Sequence, residues 1–398
     1  MPNNSNPDAM YKCTLIGISD SREQWFPPQV CEIIAQGTVF SGGKRHHEIM
    51  ESYLPANAVW IDITVPLSGV FQEYEKYPEI VIFASGDPLF YGFASTVQRE
   101  CPDVQMTVFP SFNSLQMLAH RMNLPYQDLH AVSLTGRPWD RFDEALICGE
   151  PLIGCLTDRN KTPHQIWQRM QEYGYTNYRM TVGENLGNEE TQCVSPYRED
   201  REYAQPNCLI LQKTAEKERP FGIPENQFHL LDGRVKMITK MPIRLLSLSL
   251  LDLRRKRTFW DVGFCTGSVS IEAKLQFPHL SITSFEIRTE GEELMLLNSR
   301  KFGTPGITTV IGDFMETDLT PYPAPDAVFI GGHGGKLVEM ILKLRSVLKP
   351  GGCIVFNSVS EDSRQLFLKG VEAAGMTLTT STRIAIDEHN PIYILKAE

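Results

Sequence analysis

The stretch WDVGFCTGSVSIEA, from Trp260 to Ala273, decides the fold of the second half of this 398-residue chain. The apolar run from Thr258 to Trp260 predicts a buried strand, and residues 268–276 predict the helix that follows the turn. Gly263 and Gly267 lie between the two, where they permit a tight turn and a close approach of backbone N–H groups to a ligand. The stretch therefore predicts a binding site at the end of a parallel strand.

The ligand predicted for this turn is a nucleoside without a phosphate. The dinucleotide motif G-x-G-x-x-G is absent because Cys265 replaces the middle glycine, which disfavours a pyrophosphate. Glu286 closes the next predicted strand, and its carboxylate can accept hydrogen bonds from both ribose hydroxyls. S-adenosyl-L-methionine is a nucleoside of this kind. Its predicted contacts are Gly263, Phe264, Cys265, Thr266, Gly267, Glu286, and Asp313 with Phe314 for the adenine.

A second glycine turn, Ser85 to Gly92, lies in the first half and follows the apolar run 79–84. Gly86 supplies backbone freedom, Pro88 fixes the turn, and Asp87 can bind loop N–H groups or a ligand amine. Small residues at other predicted strand ends suit an adenosyl ligand held by main-chain contacts. The predicted contacts of this half are Gly17, Gly86, Asp87, Pro88, Phe90, Ser111, Ser114, Thr135 and Gly136.

The order of predicted elements indicates two α/β domains, at 11–213 and 227–398, joined by a linker at 214–226. In the first domain we expect a mainly parallel sheet, with strands at 12–19, 59–65 and 79–84 and helices at 29–36, 93–100, 114–122 and 159–173. In the second we expect a doubly wound, Rossmann-like sheet. Its predicted strands are 259–261, 282–286, 308–311, 327–330 and 353–357, and its predicted helices are 242–253, 268–276, 290–302, 336–348 and 362–374.

Composition narrows the class of protein. The formal net charge of -10 argues against nucleic-acid binding, which normally accompanies a basic excess. The nine cysteines include no C-x-x-C pair, so we expect no zinc knuckle and no disulfide framework. Neither a signal-peptide core nor an apolar run of the roughly 18 residues needed for a membrane span is present. We therefore expect a cytoplasmic, soluble protein. We also expect no bound metal, since His46 and His47 are adjacent and no motif of further metal ligands accompanies them.

The second half resembles the decarboxylating domain of precorrin-6Y methyltransferases of cobalamin biosynthesis, over about 230–398. The matching residues are Ile238-Thr239-Lys240, Arg244, Trp260 to Ala273, Glu286, Gly312-Asp313, Phe329-Ile330-Gly331-Gly332 and Asn390-Pro391-Ile392. The resemblance adds Thr239 to the predicted cofactor contacts. It implies methylation of carbon 15 and decarboxylation of the acetate on carbon 12.

The first half resembles the tetrapyrrole methyltransferase family, over about 11–213. The matching motifs are Ser85 to Gly92, Pro110 to Ser114, Thr135-Gly136-Arg137 and Leu156-Thr157-Asp158, and Ser41 to His46 resembles the precorrin-6Y branch. The resemblance implies methylation of carbon 5. The fusion of the two halves implies a bifunctional enzyme that yields precorrin-8.

A tetrapyrrole of this kind carries many carboxylates, so its pocket needs cationic or main-chain donors. We expect Arg45, Arg137 and Arg244 to bind the substrate. His46, beside Arg45, could likewise contact a substrate carboxylate or simply lie in a solvated turn. Lys240 is a further candidate for a carboxylate and for catalysis. His333, beside Gly331-Gly332 at a strand end, is the candidate for proton transfer near neutral pH.

Three alternatives remain open from the sequence. The chain could methylate another tetrapyrrole or small molecule. One half could be degenerate and only bind ligand, since Ser19 and Phe264-Cys265 depart from the family pattern. A nicotinamide oxidoreductase is disfavoured by the missing dinucleotide motif. We also expect a homo-oligomer, as in other methyltransferases of this type.

Overall fold

A computed structural model describes residues 11–234, 237–386 and 391–398. The chain divides into two compact units. The first unit comprises residues up to Arg137, Pro151–Ile166 and Tyr178–Lys213, and the second comprises Pro138–Glu150, Trp167–Asn177 and Thr214–Glu398. The division at Lys213 coincides with the start of the predicted linker, and the predicted domain ranges themselves stay a prediction.

The described residues form helices in both units. In chain order they are α1 (Pro28–Gln36), α2 (Lys44–Met50), α3 (Leu67–Tyr74), α4 (Phe93–Glu100), α5 (Ser114–Arg121), α6 (Asp140–Cys148), α7 (Pro163–Glu172), α8 (Met241–Leu251), α9 (Ser268–Gln276), α10 (Glu290–Phe302), α11 (Leu337–Val347) and α12 (Glu361–Ala373).

The first unit holds a five-stranded parallel sheet in the order β3-β2-β4-β1-β5. Its strands are β1 (Lys12–Ile18), β2 (Val39–Gly42), β3 (Val59–Asp62), β4 (Glu79–Ser85) and β5 (Gln105–Phe109). The central strands β1 and β4 are apolar on both faces, as expected for a parallel sheet covered by helices. The predicted parallel arrangement is confirmed for this sheet.

A second sheet of this unit has the order β6-β7-β10-β8-β9. Its strands are β6 (His130–Ser133), β7 (Leu152–Leu156), β8 (Tyr178–Glu184), β9 (Cys193–Pro196) and β10 (Asn207–Lys213). Only β6 and β7 pair in parallel, and the other neighbours are antiparallel. This second sheet was not predicted, and its antiparallel part arises because β8, β9 and β10 follow one another through loops, without the crossover helices that parallel pairing requires.

The second unit contains a seven-stranded sheet in the order β13-β12-β11-β14-β15-β17-β16. Its strands are β11 (Thr258–Val262), β12 (Ser281–Glu286), β13 (Ile307–Ile311), β14 (Ala327–Ile330), β15 (Cys353–Ser358), β16 (Leu378–Ile384) and β17 (Ile392–Ala397). The strands are parallel except β17, which pairs antiparallel with β15 and β16. Strand order reverses between β11 and β14, and a doubly wound sheet opens a ligand crevice at that point. The predicted Rossmann-like fold is confirmed.

The core of this unit lies on both faces of the sheet. Alternate residues of β11 point to opposite faces, so Trp260 packs in one apolar cluster and Phe259 in the other. Burial of β11 on both faces fixes its register and therefore the position of the turn that follows it.

The first unit depends on a close backbone contact at the ends of β1 and β4. A Cβ atom on Gly17 would lie 1.8 Å from the carbonyl oxygen of Gly86 and 2.6 Å from the amide nitrogen of Ser111. Backbone atoms cannot move aside as a flexible side chain can, so only glycine fits at position 17.

We predict that Gly17→Ala destabilises the first unit by about 3 kcal/mol, because the added methyl forces β1 away from β4. Gly69→Ala is the matched control, since Gly69 lies on α3 and a Cβ atom there would meet no other atom within 4 Å. That change should raise stability by up to about 1 kcal/mol. Calorimetric unfolding of both variants measures the difference, and equal stabilities would contradict the prediction.

Candidate functional sites

The second unit has a cavity of about 510 Å³ at the carboxyl ends of β11, β12 and β14. It lies at the reversal of strand order, where the fold predicts a ligand. The sequence-predicted residues that line it are Thr239, Lys240, Gly263, Phe264, Cys265, Glu286, Asp313, Phe314 and His333.

The glycine turn after β11 brings two strand ends together. Gly263 has φ +79°, and a Cβ atom there would lie 2.6 Å from the amide nitrogen of Gly332. Thr266 and Gly267 do not line the cavity. The Thr266 side chain is buried, and a Cβ on Gly267 would meet the sulfur of Met295 at 2.5 Å. Thr266 and Gly267 therefore support the turn without lining the cavity.

Glu286 is a buried carboxylate held by three donors. Its Oε2 accepts from the Cys265 amide at 2.8 Å, and its Oε1 accepts from the Arg288 amide at 3.0 Å and from Arg288 Nη1 at 2.9 Å. A carboxylate oxygen offers two acceptor positions, so Oε2 keeps one for a ligand hydroxyl. Contact of Glu286 with both ribose hydroxyls stays a prediction, and it requires Arg288, which sequence reasoning missed, to give up a bond.

Hydrogen bonds of Asp313 and Lys343 hold the loop after β13 in place. Asp313 accepts from the Met315 amide at 2.8 Å and from Lys336 Nζ at 3.0 Å, and these donors lower the pKa of its carboxyl. Lys343 donates at 2.8 Å to each of the carbonyl oxygens of Phe314, Met315 and Thr317. Together these bonds fix the Phe314 ring at the cavity wall.

Asp261 is the most perturbed acid of the cavity. It is fully buried, and its Oδ2 accepts from the Ser270 hydroxyl at 2.6 Å. Its Oδ1 has no partner within the part of the chain that the structure describes. Burial raises the pKa of this carboxyl to about 7. An unpaired buried acceptor beside a cavity suits a cationic ligand group, so the residue fits the ammonium of S-adenosyl-L-methionine. The motif contained Asp261, but sequence alone did not indicate its burial.

We predict that Asp261→Asn stabilises the ligand-free chain above neutral pH. The folded pKa lies above the ordinary value of 3.8, so the native chain loses stability as pH rises towards and through about 7. The asparagine variant escapes that loss. Melting temperatures at pH 5 and pH 8 should show the variant gaining more at pH 8 than at pH 5, while its affinity for S-adenosyl-L-methionine falls roughly tenfold at pH 8. An unchanged pH dependence would refute the assignment.

The two candidates for proton transfer line the same cavity. His333 Nδ1 accepts from the Gly335 amide at 3.2 Å, and burial lowers the pKa of the ring. The imidazole is therefore neutral at pH 7, with its proton on Nε2. Lys240 lies at the start of α8. Their catalytic roles stay a prediction.

Arg244 does not reach the cavity, and the prediction that it binds substrate is wrong. Its side chain is fully buried, its Nε bonds Glu272 at 3.2 Å, and its other nitrogens donate to the carbonyl oxygens of Thr239 and Ile223. Glu272 also accepts from the Gly222 and Ile223 amides at 2.8 and 3.0 Å. The pair fastens the segment before α8 to α9.

We predict that Arg244→Met lowers the stability of the second unit by about 3–5 kcal/mol, because Glu272 is left as a buried unpaired charge. Arg254→Met, at an exposed position, is the control. Calorimetry distinguishes the two. A variant of unchanged stability but with a raised KM would restore the substrate-binding role.

The first unit has a cavity of about 430 Å³ at the carboxyl ends of β1 and β4. Four of the predicted residues line it, namely Arg45, Gly86, Phe90 and Ser114. His46, expected beside Arg45 as a contact to a substrate carboxylate or as part of a solvated turn, also lines the cavity. Lining residues that were not predicted from the sequence are Asp20, Ser85, Tyr91, Asn113 and Asn207.

Some residues predicted for the first unit do not line this cavity, namely Gly17, Asp87, Pro88 and Ser111. Asp87 accepts from the Leu89 amide at 2.9 Å and builds the turn with Pro88, and the Ser111 amide donates to Gly86 at 3.1 Å beside Gly17. Their direct contact with a ligand in this cavity is not supported by the geometry.

Thr135, Gly136 and Arg137 follow β6 and also lie outside the cavity lining. Thr135 Oγ1 donates to the Thr157 carbonyl at 3.0 Å, and the Gly136 amide donates to Asp158 Oδ2 at 2.9 Å. These bonds tie the ends of β6 and β7. Arg137 donates to Ser133 at 2.9 Å and lies 5.1 Å over the ring of Tyr91, so it reaches the cavity only through that ring.

Two features of the described residues bear on the class of protein. No group of three side chains suited to a metal ion occurs among them, and none of the described helices is long and apolar enough to cross a membrane.

His47 stacks on Trp60 at 4.1 Å, whereas His46 faces the cavity. Asn390, part of the last matching motif, lies outside the described residues.

Each of the two α/β units has a cavity at the carboxyl ends of parallel strands, and the family models place both units among the methyltransferases. Residues 231–396 match the family Precorrin methyltransferase domain, and residues 12–199 match the family Tetrapyrrole (Corrin/Porphyrin) Methylases.

Comparison with known proteins specifies the class further. The chain is 30% identical over 386 residues to precorrin-6Y C(5,15)-methyltransferase [decarboxylating] from Sinorhizobium sp, which covers 95% of this chain and 91% of that protein. It is 33% identical over 162 residues to cobalt-precorrin-6B C(15)-methyltransferase (decarboxylating) from Salmonella typhimurium, covering 41% of this chain and 83% of that protein. The solved precorrin-6Y C5,15-methyltransferase from Geobacter metallireducens GS-15 is 33% identical, covers 45% of this chain and 97% of its own, and has a TM-score of 0.41. The chain belongs to the family of decarboxylating precorrin-6Y C5,15-methyltransferases.

Proposed function

We propose that this chain methylates precorrin-6Y at carbon 5 in its first unit and at carbon 15 in its second, and removes the carboxyl of the carbon-12 acetate to give precorrin-8. The observation that carries the proposal is the 30% identity over 95% of the chain, since that likeness spans both units. The two separate cavities supply one site for each methylation.

S-adenosyl-L-methionine, bound in each unit, supplies an electrophilic methyl group on its sulfonium. In the second unit, Glu286 and the turn at Gly263 would hold its nucleoside, and Asp261 its ammonium. The bridging carbons of the reduced tetrapyrrole are enamine-like nucleophiles, so the protein has chiefly to align the two reactants and exclude water. Neither a metal nor a covalent nucleophile is required by this chemistry.

Decarboxylation of this substrate needs less help from the protein than decarboxylation of a simple carboxylic acid would. The carbon–carboxyl bond breaks heterolytically, carbon dioxide leaves, and its electron pair enters the conjugated imines of the macrocycle. A proton must then reach the resulting carbon. The neutral His333 imidazole, which carries its proton on Nε2, and Lys240 are the donors that this cavity offers.

We propose that the nine free thiols reflect action in the reducing cytoplasm and that the chain self-associates. Light scattering on the purified full chain measures whether it self-associates.

The test is incubation of the full chain with precorrin-6Y and methyl-labelled S-adenosyl-L-methionine, analysed by mass spectrometry. We expect a product that has gained two labelled methyl groups and lost carbon dioxide. A parallel incubation with cobalt-loaded substrate tests the metal-free assignment, which rests on the name of the whole-chain relative. One methyl group without loss of carbon dioxide would contradict the proposal. Titration of S-adenosyl-L-methionine should give two sites per chain, and one site would favour the degenerate alternative.

A further inference from the structure

Four polar side chains meet on one wall of the first unit's cavity. Asp20 follows β1, Arg45 and His46 lie on α2, and Ser85 ends β4. All four line the cavity. The sequence predicts Arg45 and His46 as contacts to substrate carboxylates, but not Asp20 or Ser85.

The hydrogen bonds of His46 determine where its proton lies. Nδ1 accepts from the Gly43 amide at 3.3 Å, so it carries no hydrogen. Burial, followed by the charge of Arg45, lowers the pKa of the ring to about 4, so the imidazole is neutral at pH 7. Its single proton therefore lies on Nε2, which is 2.9 Å from Ser85 Oγ.

Ser85 is then surrounded by donors. Arg45 Nη2 donates to Ser85 Oγ at 2.9 Å, and His46 Nε2, which carries the ring proton, lies 2.9 Å from the same oxygen, while the ring also has the Phe83 backbone as a hydrogen-bond partner. A serine hydroxyl has two acceptor positions and one hydrogen. Neither neighbour can accept that hydrogen, and no acceptor for it occurs among the residues that the structure describes. Because Ser85 is exposed at the cavity wall, its hydroxyl is free to donate to a ligand.

Arg45 adds a cationic hydrogen-bond donor beside the Ser85 hydroxyl. Its Nη1 donates to Asp20 Oδ2 at 3.0 Å, so two of its five N–H groups are engaged and three remain. Asp20 holds the guanidinium against the wall while the side chain stays 44% exposed. A donor hydroxyl beside a partly free guanidinium is complementary to a carboxylate.

We propose that Ser85 is a specificity-determining residue that, with Arg45, binds a carboxylate of the tetrapyrrole in the first unit. This inference rests on the function proposed above. The methionine carboxylate of the methyl donor shares the same chemistry. The exposure of Arg45 places the cluster where a large substrate enters, and this favours the tetrapyrrole.

The test compares Ser85→Ala, Arg45→Met and their double variant with the wild-type chain. Ser68→Ala is the matched control, because Ser68 is an exposed serine of the same unit outside the cavity. Two quantities are measured: KM for precorrin-6Y in carbon-5 methylation, and Kd for S-adenosyl-L-methionine without tetrapyrrole.

We expect Ser85→Ala to raise KM about tenfold, as for loss of a hydrogen bond to a charged group, with Kd for the donor unchanged. The double variant should cost less than the product of the single effects, because both residues bind one carboxylate. Ser85→Thr keeps the hydroxyl and should restore KM, which separates recognition from misfolding. Ser68→Ala should match the wild type.

Two outcomes would overturn the inference. A wild-type KM in Ser85→Ala would show that the hydroxyl binds nothing in the substrate. A weakened Kd for the methyl donor with an unchanged KM would assign the carboxylate to the donor. Failure of the proposed function would be seen separately, as a wild-type chain that does not methylate carbon 5 at all.

Discussion

Backbone packed against backbone is the constraint on which both sites depend. In the second unit the turn after β11 lies against the loop after β14, and a Cβ atom on Gly331 would meet the Gly263 carbonyl at 2.8 Å. In the first unit Gly17 and Gly86 make the corresponding contact. The absence of side chains at these strand ends lets the backbones approach closely, and the amides of Gly86, Gly263 and Gly331 donate to carbonyl oxygens of neighbouring strands. The polar side chains around each cavity are then free to recognise the ligand.

The electrostatics of the two cavities explain how an acidic chain can bind an acidic macrocycle. Three cationic groups that line the sites are held by carboxylates: Arg45 by Asp20, Lys336 by Asp313, and Arg288 by Glu286. Each cation is oriented by its acid and keeps further N–H groups for a ligand. Recognition therefore depends on directed hydrogen bonds more than on a broad positive surface.

Local sequence pattern was sufficient for much of the fold and for the floor of the second site. The predicted bounds of α4, α9, α10 and β14 agree with the structure, because a glycine adjoins one end of each element. Strands β6 to β10 were missed. Strand β10 pairs with β7 across an intervening helix and two further strands, and local pattern does not encode such a pairing.

Side-chain roles were harder to predict than elements. Arg244 was assigned to substrate because its buried partner, Glu272, lies 28 residues further along the chain and carries no sequence signal of its own. Ser85 lies within a predicted motif but was not predicted as a contact, because its free hydrogen follows only from the orientations of Arg45 and His46. Such roles depend on which neighbour has used which proton, and this requires coordinates.

Strand β17 constrains how the second unit assembles. It lies between β15 and β16, although it comes later in the chain than both. During synthesis β16 emerges before the strand that joins it to the sheet. Until β17 arrives, the open edge of β15 is an unsatisfied template to which another nascent chain could add. Strand β16 therefore joins this sheet only through β17, and the edge of β15 is covered only when β17 is in place.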